Sequence, residues 1–358
     1  MSKILYVAST ASHLRRFHEP YIEALRTRAE VICMANGEGV DYNIPFDKHF
    51  FSFQNLKNIG KIRKILKKEH FDAVILHTTL AAFLVRMAML GMRQRPYVLN
   101  TVHGYLFGLN PRGLKDRVLL LCEKLVWRMT DEIAVMNAED LEICKTHRLC
   151  RGKVYMTRGM GVSIQTGIPV QDDTLRATYT KDPSDFVCLF VGELSKRKNQ
   201  AFLIDAMAAL KREGMPIRLL LAGDGAEREA LAAQIEQNGL ADTVYLLGNR
   251  EPILPYLSIA DLYVSASVSE GLPFNVMEAM SCGLPILASA TKGQTDLLAD
   301  APEALYPLND QAQFCGALRR VYQSKHYGVG SRTYPNLEQY RLHAVFEETL
   351  AVFTNHLN

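Results

Sequence analysis

Along the chain, short apolar runs rich in Val, Ile and Leu alternate with stretches whose apolar positions recur every three or four residues. Runs at 4–8, 29–34, 73–77, 97–102 and 132–136 predict strands in the first half. Runs at 186–191, 218–222, 243–247, 262–265 and 286–288 predict strands in the second. The helical pattern lies between them, for example at 19–27, 59–69, 81–90 and 115–130. Apolar strands that alternate with helices form parallel sheets covered on both faces. Two such series predict two doubly wound α/β domains, at 1–162 and 163–336, with the change-over in the Gly-, Pro- and polar-rich stretch 159–185. A last amphipathic segment, 337–358, can pack back on the first domain. Ligands of open α/β sheets bind beyond the carboxyl ends of the strands, so a crevice between the domains is where a ligand is expected.

Composition narrows the class. The 358 residues suit two domains better than one core, and 48% hydrophobic with 22% charged residues is ordinary for a water-exposed globular chain. No apolar run reaches the ~18 residues of a membrane span, and the start lacks the apolar core of a signal peptide. Seven scattered cysteines without a CxxC pair read as reduced thiols of a cytoplasmic protein, and no clustered ligand set for zinc is visible. Residues 1–162 carry 25 Lys and Arg against 15 Asp and Glu, whereas 163–358 carry 16 against 23. The basic half is thus expected to face something anionic: nucleic acid, a phospholipid surface or a phosphorylated substrate.

The sharpest motif runs from Ser269 to Pro285, SEGLPFNVMEAMSCGLP. Gly271 and Pro273 mark a turn, and a helix is predicted from Phe274 to a stop at Gly283. A helix start favours phosphate through its N–H groups and dipole. Glu270 in the loop before it and Glu278 a turn inside repel phosphate but accept from sugar hydroxyls. A phosphate flanked by two sugars describes a nucleotide sugar. Lys198 follows a predicted strand and a glycine turn, where a cation can stabilise a departing diphosphate; a solvated surface lysine is the blander alternative. His103 ends a predicted strand, another position where ligands meet an open sheet.

Glu270-x7-Glu278 followed by Ala-Met-x-Cys-Gly-Leu-Pro resembles the donor-site signature of the retaining family 4 glycosyltransferases, which have the GT-B fold. Val191 to Asn199, Ala222 to Gly225, Leu247 to Arg250 and Thr101 to Gly104 resemble further landmarks of that family, in its order, and the match is nearest to bacterial exopolysaccharide and capsule transferases. The resemblance implies two Rossmann-like domains facing each other across a cleft, and transfer of a hexose or N-acetylhexosamine from a nucleoside diphosphate sugar, by resemblance UDP-linked. The acceptor it implies is a glycan or a polyprenyl-linked sugar. Gly192, Arg197, Lys198, Leu247, Arg250, Glu270, Gly271, Leu272, Phe274, Asn275 and Glu278 are the implied donor-binding residues, with Ile253 also near the base. His103, Glu270 and Lys198 are the implied catalytic set, and Ser12, His13 and Tyr105 lie on the acceptor side. Asp296 sits where the family has an acidic residue after a second loop. One departure stands out: Glu193 occupies a position where the family often has Arg, so Lys196 or Arg197 must serve instead, or Glu193 must turn away.

The chain contains no Asp-x-Asp pair of the kind that holds a divalent metal on a diphosphate, so no metal and no further cofactor is expected. Residues 56–68 are amphipathic: Ile59, Ile62, Ile65 and Leu66 share one face, and Lys57, Lys61, Lys64 and Lys68 the other. Such a helix either covers a sheet or makes peripheral contact with an anionic membrane at the inner face of the cytoplasmic membrane. Tyr105, Leu106, Phe107, Leu109 and Trp127 either line an acceptor groove or pack inward. Two rivals to a transferase are a sugar-nucleotide 2-epimerase on the same architecture and a non-catalytic basic membrane-binding protein. Nucleic acid is disfavoured, because 56–68 has no aromatic residue to stack on a base.

Overall fold

The computed structural model describes residues 1–47, 49–50, 52–111, 113–162 and 169–357. It divides into two compact units, Met1–Gly161 with Gln339–Asn358, and Val162–Glu338. Of the change-over stretch read from the sequence, 163–168 lie outside the described residues.

The first unit is a seven-stranded parallel sheet: β1 Ser2–Thr10, β2 Ala29–Asn36, β3 Tyr42–Asn43, β4 Ala73–His77, β5 Tyr97–Val102, β6 Glu132–Val135 and β7 Val154–Met156. Their order is β3-β2-β1-β4-β5-β6-β7. The second unit has six: β8 Phe186–Val191, β9 Ile217–Ala222, β10 Val244–Gly248, β11 Leu262–Ser265, β12 Ile286–Ser289 and β13 Leu305–Tyr306, in the order β10-β9-β8-β11-β12-β13. Every strand pairing in both sheets is parallel. The central strands have helices on both faces, which is why Ile4–Ala8, all of β4 and all of β11 are buried. At about 1.5–3 kcal/mol for each large apolar side chain buried, such strands hold the sheets together and leave the loops at their ends free to carry chemistry. β3, β7 and β13 are edges of two or three residues, too short to leave a periodic signal.

The basic amphipathic segment is a longer helix than the sequence predicted, Phe53–Glu69. Ser52 Oγ caps its start by accepting from the Asn55 N–H at 3.2 Å. Ile62, Ile65 and Leu66 lie in the core of the first unit, so its apolar stripe covers the sheet and is not offered to a membrane. What stays exposed is the lysine face, with Phe53 and Leu56 beside it. The predicted helix 115–130 ends early, as Leu114–Val126. Arg86 joins it to the neighbouring helix Thr79–Met89 through a buried two-pronged ion pair with Glu123, 2.9 Å at each prong. The last helix, Leu342–Thr354, belongs to the first unit. Thr349 Oγ1 donates to the Gly159 carbonyl at 3.1 Å, and Phe353 packs edge-on to Tyr6 and His77. A Cβ on Gly161 would lie 2.5 Å from the Leu342 Cα, so only glycine lets this helix sit so close.

Candidate active site

Each sheet has one place where the strand order reverses, between β1 and β4 and between β8 and β11. Loops diverge there and open a crevice beyond the strand ends. The residues singled out in the sequence gather at these two places.

In the second unit β8 runs into Gly192 and the turn 195–199. The N–H groups of Lys198 and Asn199 both donate to the Ser195 carbonyl, at 3.0 and 3.1 Å. Asn199 is left-handed at φ +57° and begins the helix Gln200–Arg212. Gly192 and Gly223, at the ends of β8 and β9, both have positive φ, and a Cβ on Gly223 would meet the Gly192 oxygen at 1.9 Å. The two strand-end loops therefore touch backbone to backbone.

This turn carries Lys198 toward the segment after β11. Lys198 Nζ lies 2.7 Å from Glu270 Oε1, and Arg197 Nη1 lies 3.0 Å from Glu270 Oε2. Arg197 also donates to the Ser269 carbonyl at 3.0 Å, while its own carbonyl accepts from the Val268 N–H at 2.8 Å. Glu270 is 7% exposed and Lys198 8%. Lys198 is thus a buried, paired cation and not a solvated surface lysine. Burial pushes the Glu270 carboxyl up, but the Lys198 and Arg197 charges outweigh it, so the group stays ionised and lies below its usual range. A carboxylate has about four acceptor sites; these cations use two and the Ser267 side chain a third, leaving capacity for a hydroxyl group.

The helix Phe274–Ser281 starts four residues after Glu270. Pro273 precedes it, with no side chain capping the start and no acid in its first turn. Asn275 Nδ2 donates to the Val191 carbonyl at 2.6 Å and ties this helix to the end of β8. Gly271 and Leu272 are buried, and Phe274, Asn275 and Glu278 are half-buried. The segment after β12 supports the same loop: a Cβ on Gly293 would lie 2.5 Å from the Gly271 oxygen, and Asp296 accepts from the Gly293 N–H at 3.3 Å. Leu247 is buried at the end of β10, Ile253 is half-buried, and Arg250 is exposed with its guanidinium 5.7 Å from the Tyr256 ring. Glu193 and Lys196 are exposed, and Glu193 makes no ion pair among the described residues. Gln294, not singled out in the sequence, is fully buried and donates to Ser265 Oγ at 2.7 Å, fixing the second loop to β11.

In the first unit Ser12 and His13 lie at the start of a short helix, Ala11–Phe17, capped by Thr10. Ser12 is exposed on it and His13 half-buried. Four imidazoles converge here: His13 and His18 after β1, His77 at the end of β4, and His103 after β5. His77 Nδ1 and His103 Nε2 are 3.0 Å apart, and Tyr6 Oη meets His18 Nδ1 at 2.9 Å. Burial pushes His13 down to about 4, His103 down to about 3, and His18 and His77 well below their usual value, so all four rings are neutral near pH 7. Thr78, next to His77, holds a left-handed φ of +65°, rare for a β-branched residue, while its Oγ1 meets Ser9 Oγ at 2.6 Å and the Ser9 N–H at 2.9 Å. No clustered metal ligands are visible along the sequence, but in the fold one ring nitrogen each from His13, His18 and His103 lie within 4.8 Å of one another. The one local trace of this in the sequence is His13-x4-His18 directly after a strand.

Tyr105 corrects another expectation. Its ring is in the core with Phe107, its backbone N–H donates to the Asp140 carboxylate, and Cys144 Sγ lies 3.6 Å from its hydroxyl. A side chain buried this way presents nothing to an acceptor. Leu106, between the two inward rings, faces out.

Residues 171–334 match the family profile described as "Glycosyl transferases group 1". EpsD of Bacillus subtilis (strain 168), designated a glycosyltransferase, is 30% identical over 333 residues, 89% of this chain and 87% of that protein. The UDP-Gal:alpha-D-GlcNAc-diphosphoundecaprenol alpha-1,3-galactosyltransferase of Escherichia coli is 27% identical over 86% of this chain and 83% of its own. Among solved structures, sucrose-phosphate synthase of Thermosynechococcus elongatus superposes with a TM-score of 0.72 at 20% identity, covering 100% of this chain and 98% of its own. Anabaena HepE in complex with UDP and glucose gives 0.70 at 17% identity, covering 99% and 100%. Likeness to EpsD over nearly the whole chain, joined to a profile match over the unit that holds Lys198 and Glu270, makes this chain a member of the group 1 glycosyl transferases, an enzyme of the GT-B fold.

Proposed function

We propose that the protein is a retaining glycosyltransferase that moves a hexose or N-acetylhexosamine from a UDP-sugar to a glycan or polyprenyl-linked acceptor in surface polysaccharide synthesis. The observation that carries the donor half of this reading is the buried Lys198–Glu270–Arg197 cluster at the β8/β11 reversal, beside the start of the helix Phe274–Ser281. In this reading Lys198 and the helix start take the charge that develops on the departing diphosphate. Glu270 accepts from the donor sugar's hydroxyls and Glu278 from the ribose. Leu247 and Arg250 border the base, and His103 orients the sugar. Ser12 and His13 lie on the acceptor side.

The name of the E. coli relative supports both ends of the proposal, a UDP-sugar donor and a diphosphoundecaprenol-linked acceptor. This reading takes Lys198 as the compensating charge on the diphosphate in place of a metal, and the sequence supports it by having no Asp-x-Asp pair. Retention of configuration is carried over from the family resemblance. An acceptor on a polyprenyl chain puts the enzyme at the inner face of the cytoplasmic membrane, with the exposed lysine face of Phe53–Glu69 as its peripheral contact. Among the described residues no helix is long and apolar enough to cross a membrane.

The test is a panel of UDP-, GDP- and dTDP-sugars incubated with the protein and a lipid-linked glycan extract, followed for nucleoside diphosphate release. Extract-dependent UDP release, with an axial anomeric bond in an α-donor product by NMR, is the expected outcome. No release with any donor sinks the transferase reading, and conversion of the sugar nucleotide to its epimer supports the isomerase instead.

A further inference from the structure

The neutral histidine cluster at the β1/β4 reversal has a use beyond the sugar and acceptor contacts proposed for His103 and His13. We propose that His13, His18 and His103 form a binding site for a late first-row divalent cation of the zinc class, held by three imidazole nitrogens with a fourth position left to water or an anion. One ring nitrogen from each residue lies within 4.8 Å of those of the other two. Around tetrahedral zinc, with Zn–N of about 2.0–2.1 Å, ligand nitrogens sit about 3.4 Å apart, so side-chain shifts of roughly an ångström close the site.

A second, independent observation points to a ligand. His13 Nε2 and His18 Nε2 are buried atoms with no hydrogen-bond partner. Leaving such a group unsatisfied costs about 1–3 kcal/mol, and a cation that takes the lone pair removes that penalty. The surroundings are already those of ligating imidazoles. Tyr6 Oη holds His18 Nδ1 at 2.9 Å and His77 Nδ1 holds His103 Nε2 at 3.0 Å, the kind of outer contact that orients a ring toward a metal. Burial keeps the three rings unprotonated near neutral pH, the form that binds metals. His18 is fully buried, whereas His13 and His103 are half-exposed and offer a route in from solvent.

The donor set selects the cation. Three imidazoles suit Zn²⁺, Co²⁺, Ni²⁺ or Cu²⁺, whereas Mg²⁺ and Ca²⁺ require oxygen ligands. The site is therefore different in kind from a hard metal on a diphosphate. Occupation ties the helix Ala11–Phe17 to the segment after β5 and withdraws the His103 lone pair from any other partner.

The tag-free, chelator-stripped full chain is titrated with Co²⁺ at neutral pH and followed by visible absorption. Zn²⁺ is then added to displace it, and melting temperature is read with each metal and with Mg²⁺. Expected are one Co²⁺ per chain, d–d bands of a four-coordinate nitrogen–oxygen site without thiolate charge-transfer bands, and a higher melting temperature with Zn²⁺ but not with Mg²⁺. His13→Gln and His103→Gln, both at half-exposed positions, each weaken Co²⁺ binding at least about tenfold, ~1.4 kcal/mol. His49→Gln, at a side chain 91% exposed, leaves it unchanged. Sub-stoichiometric binding at micromolar Co²⁺, thiolate bands that report a cysteine site, or undiminished binding by the His13 and His103 variants would each overturn the proposal.

Discussion

Lys198 Nζ and Glu270 Oε1, from segments 72 residues apart, meet at 2.7 Å with both side chains almost wholly buried. The pair bridges the two strands at which the second sheet reverses its order. Removing one partner leaves the other charged, buried and partly compensated, which typically costs about 3–5 kcal/mol. Lys198→Met should therefore destabilise the second unit by that amount in denaturant melts. Lys198→Met with Glu270→Met should recover much of the loss, because an apolar pair of similar volume replaces the ion pair. Neither variant should recover activity. UDP release should fall by a factor of about 10²–10³ in the single lysine variant, since the charge that meets the leaving group is gone. A double variant that is both stable and active would remove Lys198 from the proposed chemistry.

Glu270 also fixes the direction of one pH effect. Its carboxyl is held below the usual value of about 4.3, so the unfolded chain binds its proton first as pH falls. The stability it contributes is full above that value and drains away as pH drops through the folded-state value. Comparing wild type with Glu270→Gln by urea melts from neutral pH downward isolates this from the other carboxylates. The gap should be constant at neutral pH and narrow below about pH 4.5. A gap that does not change with pH would mean that the charge of Glu270 contributes nothing to folding.

Two glycines separate loop position from loop charge. Gly293 has φ +76°, and a Cβ there would lie 2.5 Å from the Gly271 oxygen and 3.0 Å from that of Glu270. Gly214 has a similar φ of +79° but no atom within 4 Å of a Cβ. Both alanine variants carry the backbone cost of a positive φ, at least about 1–2 kcal/mol, and the cost is larger at Gly293, whose ψ of −43° falls outside the left-handed helical well. Only Gly293→Ala must also displace the loop that holds Glu270. It should abolish the thermal shift produced by UDP-sugar, while Gly214→Ala loses some stability but keeps the shift. Equal donor shifts in the two variants would show that the loop tolerates the displacement.

Strands buried on both faces were legible in the sequence: the runs at 73–77, 97–102, 186–191 and 262–265 coincide with β4, β5, β8 and β11. The short edges β3, β7 and β13 were not, because two or three residues carry no period and their pairing is imposed by the neighbouring strand. At the site, Lys198 and Glu270 were each marked as polar residues following a strand. Their pairing was invisible, since it depends on β8 and β11 lying side by side. The histidine cluster was hidden for the same reason. His77 reads as the end of a strand and His18 as the residue before a predicted helix until the order β1-β4-β5 brings them together. Tyr105 was placed on the acceptor side because Tyr105, Leu106 and Phe107 are all apolar, so nothing in their sequence separates the two inward rings from the outward Leu106.

The lysine face of Phe53–Glu69 gives a test in the first unit that leaves the fold alone. Lys57, Lys61, Lys64 and Lys68 are exposed, and the helix is held by Ile62, Ile65 and Leu66 on its other side. Their local contacts are modest. Lys61 donates to the Asn43 carbonyl at 3.0 Å, Lys68 lies 3.4 Å from Glu69, and Lys57 lies over the Phe53 ring. Reversing all four to Glu keeps the same spacing of like charge along the helix, so the cost to folding should stay within about 2 kcal/mol. Near an anionic leaflet each lysine is worth about 1 kcal/mol. Sedimentation with vesicles containing anionic lipid should therefore weaken by at least about two orders of magnitude in the variant, and wild-type binding should itself decay as salt rises. UDP release in a detergent extract should be preserved, because no residue of the donor site is touched. If wild type and variant sediment alike, the lysines are only the solvated side of a sheet-covering helix, and the enzyme reaches a lipid-linked acceptor by another surface.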